Sequence, residues 1–130
     1  MKITRLYRGD DGVSHFEDVE IALKFFDVGG MSRRMFAAQS FFRLTEPGLL
    51  VDWHTTPGKR MIIVLDGVVE VEAGYGEKRR FGPGEICLAE DVDGPGHRTT
   101  DVEGPRLSLM IELPDDWDLK HWARQFEDNS

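Results

Sequence analysis

Polar side chains set at alternate positions in otherwise apolar stretches give the first lead to chemistry. In residues 49–56, the period-two alternation of an extended chain puts Leu50, Asp52, His54 and Thr56 on one face and Val51, Trp53 and Thr55 on the other. In 60–65 the same alternation sets Arg60, Ile62 and Val64 against Met61, Ile63 and Leu65. A face mixing carboxylate, imidazole, hydroxyl and guanidinium with aliphatic groups suits the wall of a binding pocket better than a dry core. A further imidazole, His97, ends the Gly94-Pro95-Gly96 loop. Imidazole can ligate a metal through a neutral nitrogen or carry a proton, and arginine holds a fixed cation that anions seek. Asp52, His54 and His97 together would make a two-His-one-carboxylate triad. The other candidates are blander. His15 and His121 are expected at the surface, and Cys87, within an apolar run, as an inert buried thiol. No Gly-rich loop joins a strand to a helix, and no nucleophile elbow is present, so no catalytic residue is assigned.

The elements that must position these groups are short extended segments broken by turn residues every eight to twelve positions, the pattern of an all-β sandwich or barrel. Strands are expected at 3–7, 19–23, 35–44, 49–56, 60–65, 68–73, 78–81, 86–89, 97–100 and 106–113. Asp66-Gly67 reads as a two-residue hairpin, because Gly accepts positive φ and Asp tolerates it. Residues 26–34, with two glycines, read as a long connection. After Pro114 the period changes. Leu119, Trp122, Ala123 and Phe126 fall at i, i+3, i+4 and i+7, which predicts an amphipathic helix over about 115–126 packed on the barrel. The barrel itself is expected over about 2–113, in one domain spanning 1–130. The apolar residues Trp53, Met61, Ile63 and Leu65 then need a cover from the chain's own termini or from a second subunit, and a homodimer is expected.

Spacing adds a resemblance. The first motif of the cupins runs Gly, five residues, His, one, His, three or four, Glu, six, Gly. Here Gly48, five residues, His54, one, Thr56, three, Arg60, six and Gly67 keep that spacing while changing two of the three ligand positions. The second motif opens on a Pro-Gly-Asp-like turn and reaches a His three residues before an Asn. The chain offers Pro83-Gly84-Glu85, then His97 with Asp101 in place of Asn, a loop two residues longer than usual, and Glu90 at the usual proline position. Over about residues 45–113 the chain resembles small single-domain cupins of unassigned function. The resemblance implies a jelly-roll barrel of two antiparallel sheets, commonly dimeric, with a metal or ligand site inside its mouth. Cupin metal sites usually use three His and one Glu, and by position only His54 and His97 remain as metal ligands. Thr56 is a feeble ligand, and Arg60 cannot ligate, since its guanidinium stays protonated. A unit positive charge about 5 Å from a divalent cation costs about 7 kcal/mol at an effective dielectric of 20. Pairing of Arg60 with Asp52 or Glu90 would relieve part of that cost.

Composition bounds the rest. The chain has 130 residues, 40% of them hydrophobic, enough for one self-supporting core. A net charge of −8 excludes a phosphate-neutralising nucleic-acid binder. The longest apolar run, 61–65, is far too short to cross a membrane as a helix. One cysteine excludes an internal disulfide framework, and the charged start MKITRLYRGDDG has no apolar signal core, so a cytoplasmic address is expected. Three functions compete. The first is a cupin-like protein with a degenerate metal site that binds a small polar or anionic molecule through Asp52, His54, Thr56, Arg60 and His97, without a cofactor. The second is a metal-dependent oxygenase or isomerase holding Fe, Mn, Zn or Ni through His54, His97 and a displaced carboxylate such as Asp52. The third is a metal-free isomerase or epimerase with a pocket His as base.

Overall fold

The computed structural model describes residues 1–124. It is all-β but for one short helix. The strands run β1 (Lys2–Arg8), β2 (Ser14–Glu20), β3 (Lys24–Phe26), β4 (Gly29–Met31), β5 (Gln39–Thr45), β6 (Leu50–His54), β7 (Arg60–Glu72), β8 (Lys78–Phe81), β9 (Ile86–Ala89) and β10 (His97–Glu112). The helix α1 is Leu119–Ala123. β3 and β4 form a separate two-stranded hairpin inside the stretch expected to be a bare connection.

The other eight strands make two layers that share two long strands. Along the N-terminal half of β7 and the C-terminal half of β10 the order is β2-β1-β9-β7-β10-β5, while β8 pairs with Val69–Glu72 of β7 and β6 with the start of β10. The pairings are antiparallel except β1 with β9, three residues in parallel register. Between the layers the β7–β10 register slips at Asp101/Glu103 and again at Glu103/Leu107 and Leu107/Ser108. Such bulges bend a strand, which is how one ladder serves both layers.

Here the hairpin expected at Asp66-Gly67 is corrected. Both residues lie inside β7, at the bend where the chain passes from layer to layer. Gly67 has φ +79°, and a Cβ there would stand 2.7 Å from the Glu103 carbonyl oxygen and 2.8 Å from the Arg106 Cα. The glycine is needed for a close backbone approach rather than for a turn. The expected 19–23 and 35–44 strands are likewise displaced, to Ser14–Glu20 and Gln39–Thr45.

Apolar side chains form two cores. One fills the space between the layers, with Leu6, Val64, Val69, Val71, Phe81 and Cys87. The other lies outside the first layer, where Ile3, Met61, Leu88 and Leu113 meet Leu119, Trp122 and Ala123 of the helix. Burying Leu119 and Trp122 contributes about 1.5–3 kcal/mol each. The helix begins at Leu119 because the Asp118 carboxylate accepts the backbone N–H groups of Lys120 at 3.0 Å and His121 at 3.4 Å. Trp122 Nε1 donates to the Arg33 carbonyl at 2.9 Å, tying the helix to the connection before β5. The helix is thus shorter at its start than the expected 115–126, and Phe126 lies outside the described residues.

Candidate functional site

A cavity of about 70 Å³ opens between the layers, room for several waters or a small organic molecule. His54, Thr56, Arg60 and His97 all line it. β6 and β10 pair His54 directly with His97, and the two rings stand edge to face with centroids 4.4 Å apart. Backbone and carboxylate partners fix both rings. His54 Nδ1–H donates to the Asp52 carbonyl at 2.7 Å, leaving Nε2 as its free nitrogen. His97 Nδ1 lies 2.7 Å from Asp91 Oδ2, which also accepts the Ser14 hydroxyl at 2.7 Å. This Ser14–Asp91–His97 chain is buried and orients a second free Nε2. The Thr56 hydroxyl is spent on the Gly58 carbonyl at 2.7 Å.

Asp52 is placed elsewhere. Its side chain is 78% exposed, 4.0 Å from Arg98, and absent from the cavity wall. The cause is a bulge: His54 pairs with His97 but Val51 with Thr99, so Asp52 and Trp53 together oppose the single residue Arg98. The extra residue breaks the alternation that would have put Asp52 beside His54. The Asp52–His54–His97 triad is therefore not formed. Nor does Arg60 pair with Asp52 or Glu90. Its Nη2 lies 3.7 Å from Glu112 Oε1, whereas Glu90 is held by Arg5 at 2.5 Å and Lys59 at 3.4 Å.

Sequence reasoning missed three residues of the site. Arg43 on β5 and Arg106 on β10 both line the cavity. Arg106 Nε donates to Asp101 and its Nη1 to the Ser108 hydroxyl at 2.8 Å, so its charge is answered within the wall. Arg43 has no ion-pair or hydrogen-bond partner among the described residues. Burial, and then Arg106 and Arg60 nearby, push its pKa below the usual guanidinium value, with Asp101 opposing. The alternation Phe41-Phe42-Arg43-Leu44 held the signal, since an inward Arg on an apolar strand is costly without a purpose. Asp91 is the third, a carboxylate just after β9 and six residues before His97. Cys87 also lines the cavity, and burial pushes its thiol up to about 12, so it is no nucleophile at neutral pH.

The donor set can be tested against the divalent ion that the resemblance implies. Among the described residues no group of three or more His, Cys, Asp or Glu side chains is arranged to hold a metal. Two imidazole nitrogens share their cavity with three guanidinium groups, and no carboxylate lines it. These residues do not fit a divalent cation.

Two layers joined through β7 and β10, with His54 and His97 paired beside the cavity, agree with the barrel expected from the sequence, although the chain bends at Gly67 inside one strand where a hairpin was expected. The fold is cupin-like. No family model matches the chain, and no curated protein does. Among solved structures, the chain is similar to an RmlC-like cupin protein from Desulfovibrio desulfuricans, 13% identical, over 85% of this chain and 81% of that one, with TM-score 0.43. It is similar to a putative ethanolamine utilization protein Q from Salmonella typhimurium, 13% identical, over 89% and 98% of the two chains, TM-score 0.37. A conserved protein of unknown function from Streptococcus pyogenes is 18% identical over 62% of this chain and 80% of its own, TM-score 0.42. At these identities and scores nothing about ligand or reaction is carried over to the cupin-like barrel. No helix among the described residues is long and apolar enough to cross a membrane.

Proposed function

We propose that the cupin-like barrel binds a small anionic molecule in its mouth without a metal, with Arg60, His54 and His97 among the residues that touch it. One observation carries this reading. The cavity wall presents cations that the protein itself leaves incompletely answered, for Arg60 Nε is buried with no acceptor. A buried donor without a partner costs about 1–3 kcal/mol, a cost that a bound anion removes. Calorimetric titration of the metal-free protein with small organic acids and with neutral molecules of the same size tests the proposal. Saturable binding of at least one acid, with no heat from its neutral counterpart, is the expected result. Equal affinity for both would sink it.

A second reading, metal-free proton transfer, is favoured by the Ser14–Asp91–His97 chain. A buried carboxylate on Nδ1 fixes the imidazole so that Nε2 faces a ligand as a base. Solvent deuterium entering a bound acid at carbon, followed by NMR, separates catalysis from binding alone.

The same proposal includes a homodimer and a cytoplasmic address. The expected apolar wall is partly covered by the chain itself, since Met61 is only 2% exposed beneath the helix. What stays open lies further along the sheet: Phe42 is 69%, Leu44 64% and Leu65 44% exposed. Phe42 and Ile63 flank Leu109 in one cross-strand row, so the patch is continuous. Sedimentation at micromolar concentration should give a species near twice 14.8 kDa, and Phe42→Asp should dissociate it. A wild-type species of monomer mass would refute the dimer. One buried free thiol, Cys87, suits a reducing compartment.

A further inference from the structure

We propose that the ligand is a small monocarboxylic acid with an apolar body, its carboxylate held by Arg43 and Arg60. This rests on the anion-binding reading and narrows it to one chemical class.

Charge supplies the first argument. Three guanidinium groups line the cavity: Arg43, Arg60 and Arg106. Arg106 is neutralised by Asp101. Arg60 has a loose partner, Glu112 at 3.7 Å, and keeps a buried Nε without an acceptor. The Arg43 side chain makes no ion pair or hydrogen bond among the described residues, and the carboxylate that attracts it, Asp101, is bonded to Arg106. The wall therefore carries between one and two unanswered positive charges, on planar forks shaped for a carboxylate or phosphate.

The surroundings of those cations discriminate between anions. In the cross-strand rows of the inner face, Arg43 stands opposite Ser108, which stands opposite Val64. The neighbouring row is Phe41, Met110 and Ile62, and the row beyond holds Arg60. The Arg60 guanidinium lies 5.4 Å from the centre of the Phe41 ring. From the second layer Val69, Val71 and Phe81 close over the space. An anion seated between the two cations thus has apolar groups on both sides, where a dianionic phosphate would lose far more hydration than a carboxylate. Among the described residues, no Asp, Glu, Asn or Gln lines the cavity, so the hydroxyl array of a sugar would find few acceptors. A volume of about 70 Å³ leaves no room for a nucleotide sugar. A carboxylate with a short aliphatic body satisfies charge, polarity and size at once.

The test titrates the wild-type protein with 3-methylbutanoate, acetate, 3-methylbutanamide, inorganic phosphate and glucose 6-phosphate. The expected result is that 3-methylbutanoate binds at least tenfold tighter than each of the others. In Arg43→Gln its affinity should fall at least tenfold, toward that of the amide, with partial recovery in Arg43→Lys. Phosphate or glucose 6-phosphate binding tighter than 3-methylbutanoate would overturn the carboxylate class while leaving anion binding in place. No binding of any anion would overturn both. An unchanged affinity in Arg43→Gln would remove Arg43 from the site. The wild-type selectivity series needs no variant, so a poorly folding Arg43→Gln leaves the class decided.

Discussion

The Arg60→Glu variant will bind Mn²⁺ or Fe²⁺ that the unmodified protein binds poorly, and it will lose affinity for small acids. Arg60 lines the cavity with two free imidazole nitrogens, and Glu112 lies 3.7 Å from its guanidinium. Replacing the cation by a carboxylate assembles His54, His97 and Glu at one mouth. Removing a unit positive charge about 5 Å from a divalent ion is worth about 7 kcal/mol at an effective dielectric of 20. That corresponds to about five decades of affinity, of which water in an open mouth will screen part. A gain of at least two decades, read by calorimetry on metal-stripped protein, is the expected result. Tight stoichiometric metal in the unmodified protein through His54 and His97 would overturn the electrostatic account and raise the metal-dependent alternative instead.

Asp91→Ala is expected to destabilise the protein strongly. Asp91 is fully buried, and its Oδ2 accepts from both His97 and Ser14. Hydrogen bonds to a charged group contribute about 1.5–3 kcal/mol each, and truncation strands two buried donors. A loss of about 3 kcal/mol follows, or about 10 °C in melting temperature for a chain of this size. Asp91→Asn keeps an acceptor and should lose less. A melt of Asp91→Ala within 1 °C of wild type would mean that His97 is held by something other than this carboxylate.

The same pair of residues shows why the sequence reached some of the site and missed the rest. His54, Thr56, Arg60 and His97 were legible because motif spacing fixes where strands begin and end, and those four positions follow from it. Asp52 was misplaced because strict alternation cannot anticipate a bulge, and one extra residue opposite Arg98 turns its side chain outward. Arg43 carried only a faint local signal, the inward position on an apolar strand, and Asp91 carried none. Each matters through a partner far along the chain or through the lack of one: Asp91 meets Ser14 across 77 positions. No local pattern encodes that. The fold was more legible than the site, since turn residues and periodicity act locally. Even there, Asp66-Gly67 was mistaken for a hairpin, because a glycine that permits close approach has the same local signature as one that permits a turn.

That β7 and β10 each serve both layers has a consequence for how the molecule comes into being. Among the described residues β10 is the last strand, and it alone brings together β5, β6 and β7 through residues 97–112. A nascent chain emerging from a ribosome therefore cannot close either layer until β10 has been synthesised. Most pairings join distant segments, β1 with β9 among them, so assembly waits on long loop closures and is slow for the chain's size. Until β10 arrives, the apolar strand 61–65 and the inward rows of β5 lie open to other chains. Neither layer can then unfold alone without tearing the strands of the other, so amide exchange should report a single cooperative opening across both.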